Sequence, residues 1–360
     1  MAALLAALPD ADAVCPVGAD VAAAAAPSPA MPPGAMVAFH ARALPITVGT
    51  RGSPLALWQT RAFMAHVSLF CPPTRDAEAF RERAICTSGD RIQDRRLAEI
   101  GGKGLFAKEI HEALLDGRVD LAVHSLKDLE TELPPGIALG CVLRREDPRD
   151  ALVLGPGLAA PADADPDDPW AALPRGALVG SSSVRRQSQL LHARPDLRVE
   201  SIRGQVATRL ARVAEGRFDA TLLALAGLRR LGLEGASGAR AIPAAHMLPA
   251  SCQGIVGVTC RADDAAMREI LAAVTDFDAE IAARAERALL GALDGSCRTP
   301  VGAQARRLPD RRVEVEGLVA REDGTFLLRR KAVGAVADAE RIGRELGEEL
   351  RLDAPYDVFA

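Results

Sequence analysis

The chain has 360 residues, 49% of them hydrophobic and 26% charged, a balance that excludes the disordered and fibrous classes and describes an ordinary globular protein. That length exceeds what one core usually serves, so two or three domains are expected. Aromatic residues make up only 3%, which leaves an aliphatic core, and the net charge of −4 conceals an uneven distribution.

Residues 1–43 are rich in Ala and Pro and contain no Lys or Arg before Arg42. A secretory signal needs a basic start and a transit peptide needs arginines, so the segment reads as a disordered tail on a cytoplasmic protein. No apolar run is long enough to span a bilayer, and neither a membrane nor a nucleic acid is expected as a partner. The seven cysteines, at 15, 71, 86, 141, 252, 260 and 297, are odd in number and form no CxxC pair. Reduced thiols are expected, with no disulfide framework and no metal site.

Ile46 to Thr50 reads as a short strand, and Ser53 with Pro54 supplies an N-cap and a first-turn proline for a helix through about Val67. A strand near Ala84 to Thr87, a Gly-rich turn at Gly101, Gly102 and Gly104, and a helix from about Leu105 to Leu115 follow. Val119 to Val123 suits a buried parallel strand that ends in His124, Ser125, Lys127 and Asp128. In open α/β sheets ligands sit outside the carboxyl ends of strands, so a hydroxyl, an ammonium and a carboxylate at this edge favour chemistry. The alternative is a solvated Lys127–Asp128 pair opening a helix, with His124 a hydrogen-bonded core histidine.

The same order recurs in a strand from Ala177 to Gly180, Ser181 to Ser183 opening a helix to about His192, a strand from Leu197 to Ile202, a helix from about Val206, and a strand from Phe218 to Ala224. Gly117-Arg118-Val119-Asp120 is echoed by Gly216-Arg217-Phe218-Asp219, and two similar α/β lobes are the economical reading. Arg144 to Pro148 reads as a crossing between lobes, Gly155 to Pro174 as a surface insertion, and Ile242 to Pro249 as a second crossing. Two crossings place a hinged cleft between the lobes. From about Thr275 the pattern changes to a helix carrying Ile281, Ala285 and Leu289, a hairpin turning at Asp323-Gly324, and a last helix over Ala337 to Leu350. The expected division is residues 44–143 plus 249–272 for lobe 1, 144–248 for lobe 2 with its insertion at 155–174, and 273–360 for a small C-terminal α+β domain.

Residues 181–230 hold ten arginines, no lysine and four acids. Guanidinium forks pair bidentately with carboxylates and phosphates, so the excess points to a fixed polyanionic ligand. Two expected helix N-termini stand beside Arg and Ser side chains, at Arg51 and Ser53 and at Ser183, Arg185 and Arg186; each is an anion site or a simple cap. Gly101 to Phe106 lacks the spacing of a phosphate loop and reads as a mobile loop over the cleft, with Lys103 reaching a ligand. Cys297 lies in a Gly-flanked loop, either as a small buried hydrophobe or as a soft nucleophile able to hold a carbon electrophile as a thioether.

Gly49-Thr50-Arg51 with Ser53-Pro54-Leu55-Ala56, Gly101 to Phe106, His124 to Asp128, Arg145 to Ala151 and Ser182 to Gln187 form one half of an ordered set. Arg203-Gly204, Thr208-Arg209-Leu210, Ala226 to Gly232, Leu248-Pro249-Ala250, Gln253-Gly254 and the Cys297 loop form the other. The set resembles the hydroxymethylbilane synthases, also called porphobilinogen deaminases, over residues 46 to about 350. This resemblance implies two lobes like those of periplasmic binding proteins and a third domain carrying a cofactor cysteine. It also implies a transferase of heme and tetrapyrrole biosynthesis, which condenses four porphobilinogens head to tail into linear hydroxymethylbilane and releases four ammonias. Cys297 would hold a dipyrromethane cofactor, made from two substrate units, as a thioether primer.

By the family's pattern, Ser53, Lys103, Lys127, Ser183, Arg185, Arg186, Arg203 and Arg209 bind the carboxylates of the cofactor, and Arg51, Arg203, Arg209 and Arg230 those of the substrate. Each pyrrole unit carries an acetate and a propionate, so the growing chain is the polyanion that the arginine-rich segment suits. Asp128 is the catalytic residue implied, moving a proton and stabilising the cationic azafulvene left by loss of ammonia, while His124 becomes a supporting residue. A monomer is expected on the same resemblance. Glu130, Gln205 and Cys252 depart from the family, which commonly has Pro, Asn and Gly there. A noncatalytic solute-binding protein and a thiol hydrolase pairing Cys297 with His124 are the rival classes; the first is disfavoured by the lack of an export signal, the third domain and Cys297, the second by the lack of any sequence sign that the two residues pair.

Overall fold

The computed structural model describes residues 43–359 apart from 77, 92–103, 164, 166 and 295–298. The expected tail, Lys103 and Cys297 therefore lie outside the described residues.

The short aliphatic runs, apolar on both faces, form the inner strands of two five-stranded sheets. The first comprises β1 (Ile46–Thr50), β2 (Phe80–Ala84), β3 (Leu121–Ser125), β4 (Ile137–Val142) and, from far along the chain, β10 (Val256–Arg261), in the order β2-β1-β3-β10-β4. The second comprises β5 (Asp150–Leu154), β6 (Leu178–Gly180), β7 (Arg198–Glu200), β8 (Ala220–Ala224) and β9 (Arg240–Ala241), in the order β7-β6-β8-β5-β9. Each sheet has one strand antiparallel to its neighbours, β10 in the first and β5 in the second, and in both it stands fourth. Each of these strands follows directly on a crossing between the sheets.

The repeated Gly-x-x-Asp has the same structural job in both lobes. Gly117 and Gly216 turn the chain at φ +68° and +76°. The aspartate that follows then locks the next strand to the first. Asp120 Oδ2 accepts from Thr47 N at 2.8 Å and Asp120 N donates to Thr47 O at 2.8 Å; Asp219 repeats both bonds with Leu178 at 2.7 and 2.9 Å.

Helices α1 (Pro54–Phe70), α2 (Lys108–Leu115), α3 (Val184–Ala193), α4 (Val206–Ala214), α5 (Leu225–Arg230) and α6 (Ala265–Ala273) cover the sheets. Phe63 and Val67 of α1 join Met267, Ile270 and Leu271 of α6 in the core of the first sheet. Leu152, Val179, Leu190 and Leu222 build that of the second. Trp170 and Leu173 also belong to the second core and are each only 3% exposed, so the end of the 155–174 segment is not surface insertion. The Arg194 guanidinium fastens it there by donating to the Trp170 and Leu173 carbonyls.

The third domain is a three-stranded antiparallel sheet, β11 (Val301–Arg307), β12 (Arg312–Ala320) and β13 (Leu327–Ala335), covered by α7 (Phe277–Ala292) and α8 (Ala339–Asp353). The two helices pack backbone to backbone, because a Cβ on Gly343 would lie 2.0 Å from Ala285 O and one on Gly347 2.7 Å from Leu289 O.

Several strands differ from expectation at their ends, β2, β3, β7 and β8 among them. β2 lies upstream of Ala84–Thr87, since Thr87 turns away to bond Asp90 through its hydroxyl at 2.8 Å and its N–H at 3.3 Å. β3 starts later and runs to Ser125, because Val119 N still donates to Ala113 O in the turn leaving α2. The two α/β lobes and small C-terminal domain are otherwise the architecture that the sequence patterns anticipate.

Candidate active site

The carboxyl end of β3 builds one wall. Ser125 is held by Gln59 of α1, which donates to its hydroxyl at 2.9 Å and accepts from it at 3.1 Å. Leu126 is buried and its N–H donates to Ile255 O at 3.0 Å, which pins a single 3-10 turn, Leu126–Asp128, and presents Lys127 and Asp128 half-buried. His124 points the other way, its Nε2 2.9 Å from Thr259 Oγ1. Burial, with His111 and Arg51 nearby, pushes its pKa down to about 3, so it is a neutral core imidazole.

Lys127 Nζ donates to Gln253 Oε1 at 3.3 Å. Burial pulls its pKa down to about 8; Asp128 and Asp150 oppose that shift, and Arg186 and Arg185 reinforce it. Those four side chains therefore share one electrostatic neighbourhood with the ammonium.

The facing wall is organised by Asp150, the first residue of β5 and fully buried. Arg185 donates to it through Nη1 at 2.7 Å and Nη2 at 3.2 Å, Arg186 through Nε at 2.9 Å, and Gln253 through Nε2 at 3.0 Å. Burial alone would raise its pKa, but the two guanidiniums hold the carboxyl far below the usual range. Arg185 Nη1 also bonds Leu248 O and Arg186 Nη1 bonds Leu222 O, both at 2.8 Å. Arg185 Nε is buried with no partner among the described residues. Ser53 and Ser183 cap α1 and α3, accepting from Ala56 N at 3.3 Å and Arg186 N at 3.4 Å.

Arg209 of α4 donates to Gly204 O at 2.9 Å. Its pKa is pulled down to about 10 by burial and by the charges of Arg186 and Arg203, with Asp128 opposing. The sequence-predicted Lys127, Asp128, Arg185, Arg186, Arg203 and Arg209 are thus brought together across the two lobes. Arg51 and Arg230 are engaged elsewhere. Arg51 pairs with Asp90, through Nε at 3.2 Å, and lies 4.2 Å above the Phe106 ring. Arg230 donates to Gly254 O at 2.6 Å and stacks 5.7 Å from Trp58. Gln205 is exposed and makes no capping bond to α4.

The crossings themselves are tightly bonded. Arg145 Nε donates to Gln253 O at 2.9 Å and Glu146 N to Gly254 O at 3.1 Å. Gly254 has φ +88° and a Cβ there would sit 2.3 Å from Glu146 O, so only glycine fits. Cys252, at φ +59°, occupies a conformation that glycine adopts without strain. Glu286 of α7, fully buried, binds the crossings to the third domain, accepting from Arg145 Nη1 at 2.5 Å, Cys252 N at 2.5 Å and Ala305 N at 2.6 Å.

Cys297 lies outside the described residues, but the strand that follows it does not. Ala303 N donates to Pro249 O at 2.9 Å, and a Cβ on Gly302 would touch Leu248 O at 3.1 Å, the same carbonyl that Arg185 holds. Sequence reasoning missed Asp150, Gln253 and Glu286 as site residues. The available signal was strongest for Glu286, a lone carboxylate in the apolar stripe of Ala282, Ala285 and Leu289.

Two family models match the chain: "Porphobilinogen deaminase, dipyromethane cofactor binding domain" over residues 46–269 and "Porphobilinogen deaminase, C-terminal domain" over residues 280–351. A porphobilinogen deaminase of Paracoccus denitrificans is 46% identical over 316 residues, 88% of this chain and 96% of the relative. One of Sorangium cellulosum is 46% identical over 310 residues, covering 85% and 98%. Among solved structures, the periplasmic VFT2 domain of Bordetella pertussis BvgS is similar at 16% identity and a TM-score of 0.35, over 64% of this chain and 86% of that one.

Proposed function

Because the chain belongs to the porphobilinogen deaminase family, transferases that condense porphobilinogen into hydroxymethylbilane on a dipyrromethane cofactor, we propose that Asp128 is its catalytic residue and Cys297 the point of cofactor attachment. The observation that carries this reading is a charge imbalance at the cleft. Lys127, Arg185, Arg186, Arg203 and Arg209 share it, among the described residues, with the carboxylates of Asp128 and Asp150, and burial together with neighbouring guanidiniums lowers the pKa values of Lys127, Arg186 and Arg209. A ligand with several carboxylates relieves that repulsion, and the unpartnered Arg185 Nε offers it a buried donor. The residues therefore fit dipyrromethane, which carries an acetate and a propionate on each ring.

Bound there, dipyrromethane supplies a thioether anchor and a terminal pyrrole with a free α-carbon. The chain's own groups do the rest. Arg209 and Lys127 flank Asp128, and with Arg186 and Arg203 they hold ligand carboxylates by charge-assisted bonds, several at a time because the ligand lengthens at each turnover. The amino nitrogen of the incoming aminomethyl group leaves as neutral ammonia from its protonated form while the methylene stays on the pyrrole, and the carboxylate of Asp128 stabilises the positive charge left on the substrate. After the carbon–carbon bond forms, the α-proton passes to Asp128, which releases it and is ready for the next unit. Ser53 and Ser183 act through the helices they cap, Lys103 is assigned to the cofactor's carboxylates by the family's pattern, and Arg51 and Arg230 act on the substrate once released from Asp90 and Gly254 O.

We take lobe 1 as 44–143 with 249–272, lobe 2 as 144–248 and the cofactor domain as 273–360, divisions supported by the sheet memberships of β4, β5, β9 and β10. A single chain is the proposed working unit, the expectation that the family resemblance carries. A cytoplasmic location is proposed on the odd cysteine count and the lack of any CxxC pair in the sequence. No helix among the described residues is long and apolar enough to cross a membrane.

Asp128→Asn tests the assignment. It keeps the side chain's shape but removes the charge and the proton acceptor, so turnover is expected to fall by about 10²–10⁴-fold in protein that still carries its cofactor mass. Near-normal turnover would remove Asp128 from the mechanism.

A further inference from the structure

Gln253 sits where both crossings and both lobes meet. It is fully buried, and every polar atom of its side chain is engaged. Its Nε2 donates to Pro148 O at 2.7 Å and to Asp150 Oδ1 at 3.0 Å, while its Oε1 accepts from Lys127 Nζ at 3.3 Å. Its backbone carbonyl accepts from Arg145 Nε at 2.9 Å.

The partners fix which way the amide points. Turned over, it would set its NH2 against the Lys127 ammonium, donor to donor, and its oxygen against a carbonyl and a carboxylate, acceptor to acceptor. An amide so constrained passes position from one side to the other. The Asp150 carboxylate that orients Nε2 is the one that holds Arg185 and Arg186, and the oxygen thereby fixed is an acceptor for the ammonium next to Asp128.

We propose that Gln253 is a positioning residue that couples the Asp150–Arg185–Arg186 cluster of the second lobe to Lys127 of the first, so that occupation of the arginines by a ligand carboxylate is felt at the ammonium beside Asp128. The inference rests on the reading of Lys127 and Asp128 given above. The groups facing Lys127 are Asp128 on its own turn, Arg185 and Arg186 on α3, and Asp150 on β5. Gln253 is the neutral member that selects where among them the ammonium rests.

The chain has only four lysines, Lys103, Lys108, Lys127 and Lys331, so reductive methylation with ¹³C gives four dimethyl-lysine signals by NMR, with Lys127 assigned through Lys127→Arg. In the holoenzyme the Lys127 signal is expected to titrate at a midpoint set by burial, which lowers it, and by Asp128, Asp150 and the cofactor's carboxylates, which raise it. Gln253→Met keeps length and bulk but removes the acceptor, and moves that titration to lower pH. A shift of one unit takes the charged fraction at the wild-type midpoint from about a half to about a tenth, and the alkaline limb of the kcat profile moves with it, a loss of about fivefold at that pH. Gln253→Glu moves both the other way, and opposite shifts do not arise from loosened structure. In the wild type the ¹⁵N signal of the Gln253 side-chain amide is expected to follow the Lys127 titration, which carries the test if neither variant folds. An unmoved Lys127 titration in folded variants, or a Gln253 amide indifferent to it, overturns the proposal. Lost coupling in protein that retains its cofactor mass defeats this inference alone, whereas wild-type protein that never acquires that mass defeats the reading beneath it.

Discussion

Glu286 joins the C-terminal domain to the crossings, and its removal has a calculable cost. The carboxylate is fully buried, its partner Arg145 has a side chain only 13% exposed, and two backbone N–H groups, of Cys252 and Ala305, end on it. Glu286→Ala leaves a nearly buried guanidinium without its counter-ion and orphans both donors. Breaking a buried pair costs about 3–5 kcal/mol, and each orphaned donor costs about 1–3 kcal/mol when considered singly; these overlap, so a loss of about 4–5 kcal/mol is expected. With a urea slope of about 2 kcal/mol per M for a small domain, the transition of the C-terminal domain moves down by about 2 M, followed by far-UV circular dichroism. Arg145→Met with Glu286→Leu removes both charges and is expected to recover a large part of the loss, leaving mainly the two orphaned N–H groups. A Glu286→Ala protein within about 1 kcal/mol of wild type, or a double variant no better than the single one, would refute the latch.

Gly254→Ala is expected to destabilise by about 2–3 kcal/mol, since it combines a positive φ with a Cβ 2.3 Å from Glu146 O; thermal unfolding reads the loss, and an unchanged midpoint contradicts the tight crossing. His124 stays neutral in the fold down to about pH 3 but protonates near 6.5 when unfolded. Below pH 6.5 the unfolded chain therefore binds the extra proton, and stability falls with decreasing pH by about 1.4 kcal/mol per unit until the folded pKa is reached, about 2 kcal/mol by pH 5. His111 and His66, also lowered by burial, add to the same trend. Urea midpoints at pH 7 and 5 for wild type and His124→Asn check this, and the variant must show the smaller drop.

Much of the fold was legible because each lobe repeats one plan in its polar residues. Asp120 and Asp219 stand out as acids just before apolar runs, and each does the same locking job. β2 was displaced because Arg81, Glu82 and Arg83 make an edge strand look like a loop; its outer residues face water. Trp170 and Leu173 were hidden among Pro and Asp, and only their distance in space to Val179 and Leu190 makes them core. At the site, Lys127 and Asp128 announced themselves by ending an apolar strand. Asp150, Gln253 and Glu286 did not, because their meaning lies in partners up to 141 residues away, a relation that no local spacing encodes. The same blindness affects Arg185 and Arg186: the sequence displays their charge, while the structure shows how many of their donors Asp150 already holds.

A chain that builds a tetrapyrrole on a thiol of its own carries its primer covalently, and intact-mass spectrometry reads that without an assay of rate. Purified wild-type protein is expected to carry an adduct equal to two porphobilinogens minus two ammonias, mapped by peptide analysis to Cys297 and absent from Cys297→Ala. Added porphobilinogen then produces a ladder of species, each heavier by one porphobilinogen less ammonia. A wild-type chain at its bare sequence mass, unchanged after porphobilinogen is supplied, excludes a primer on Cys297.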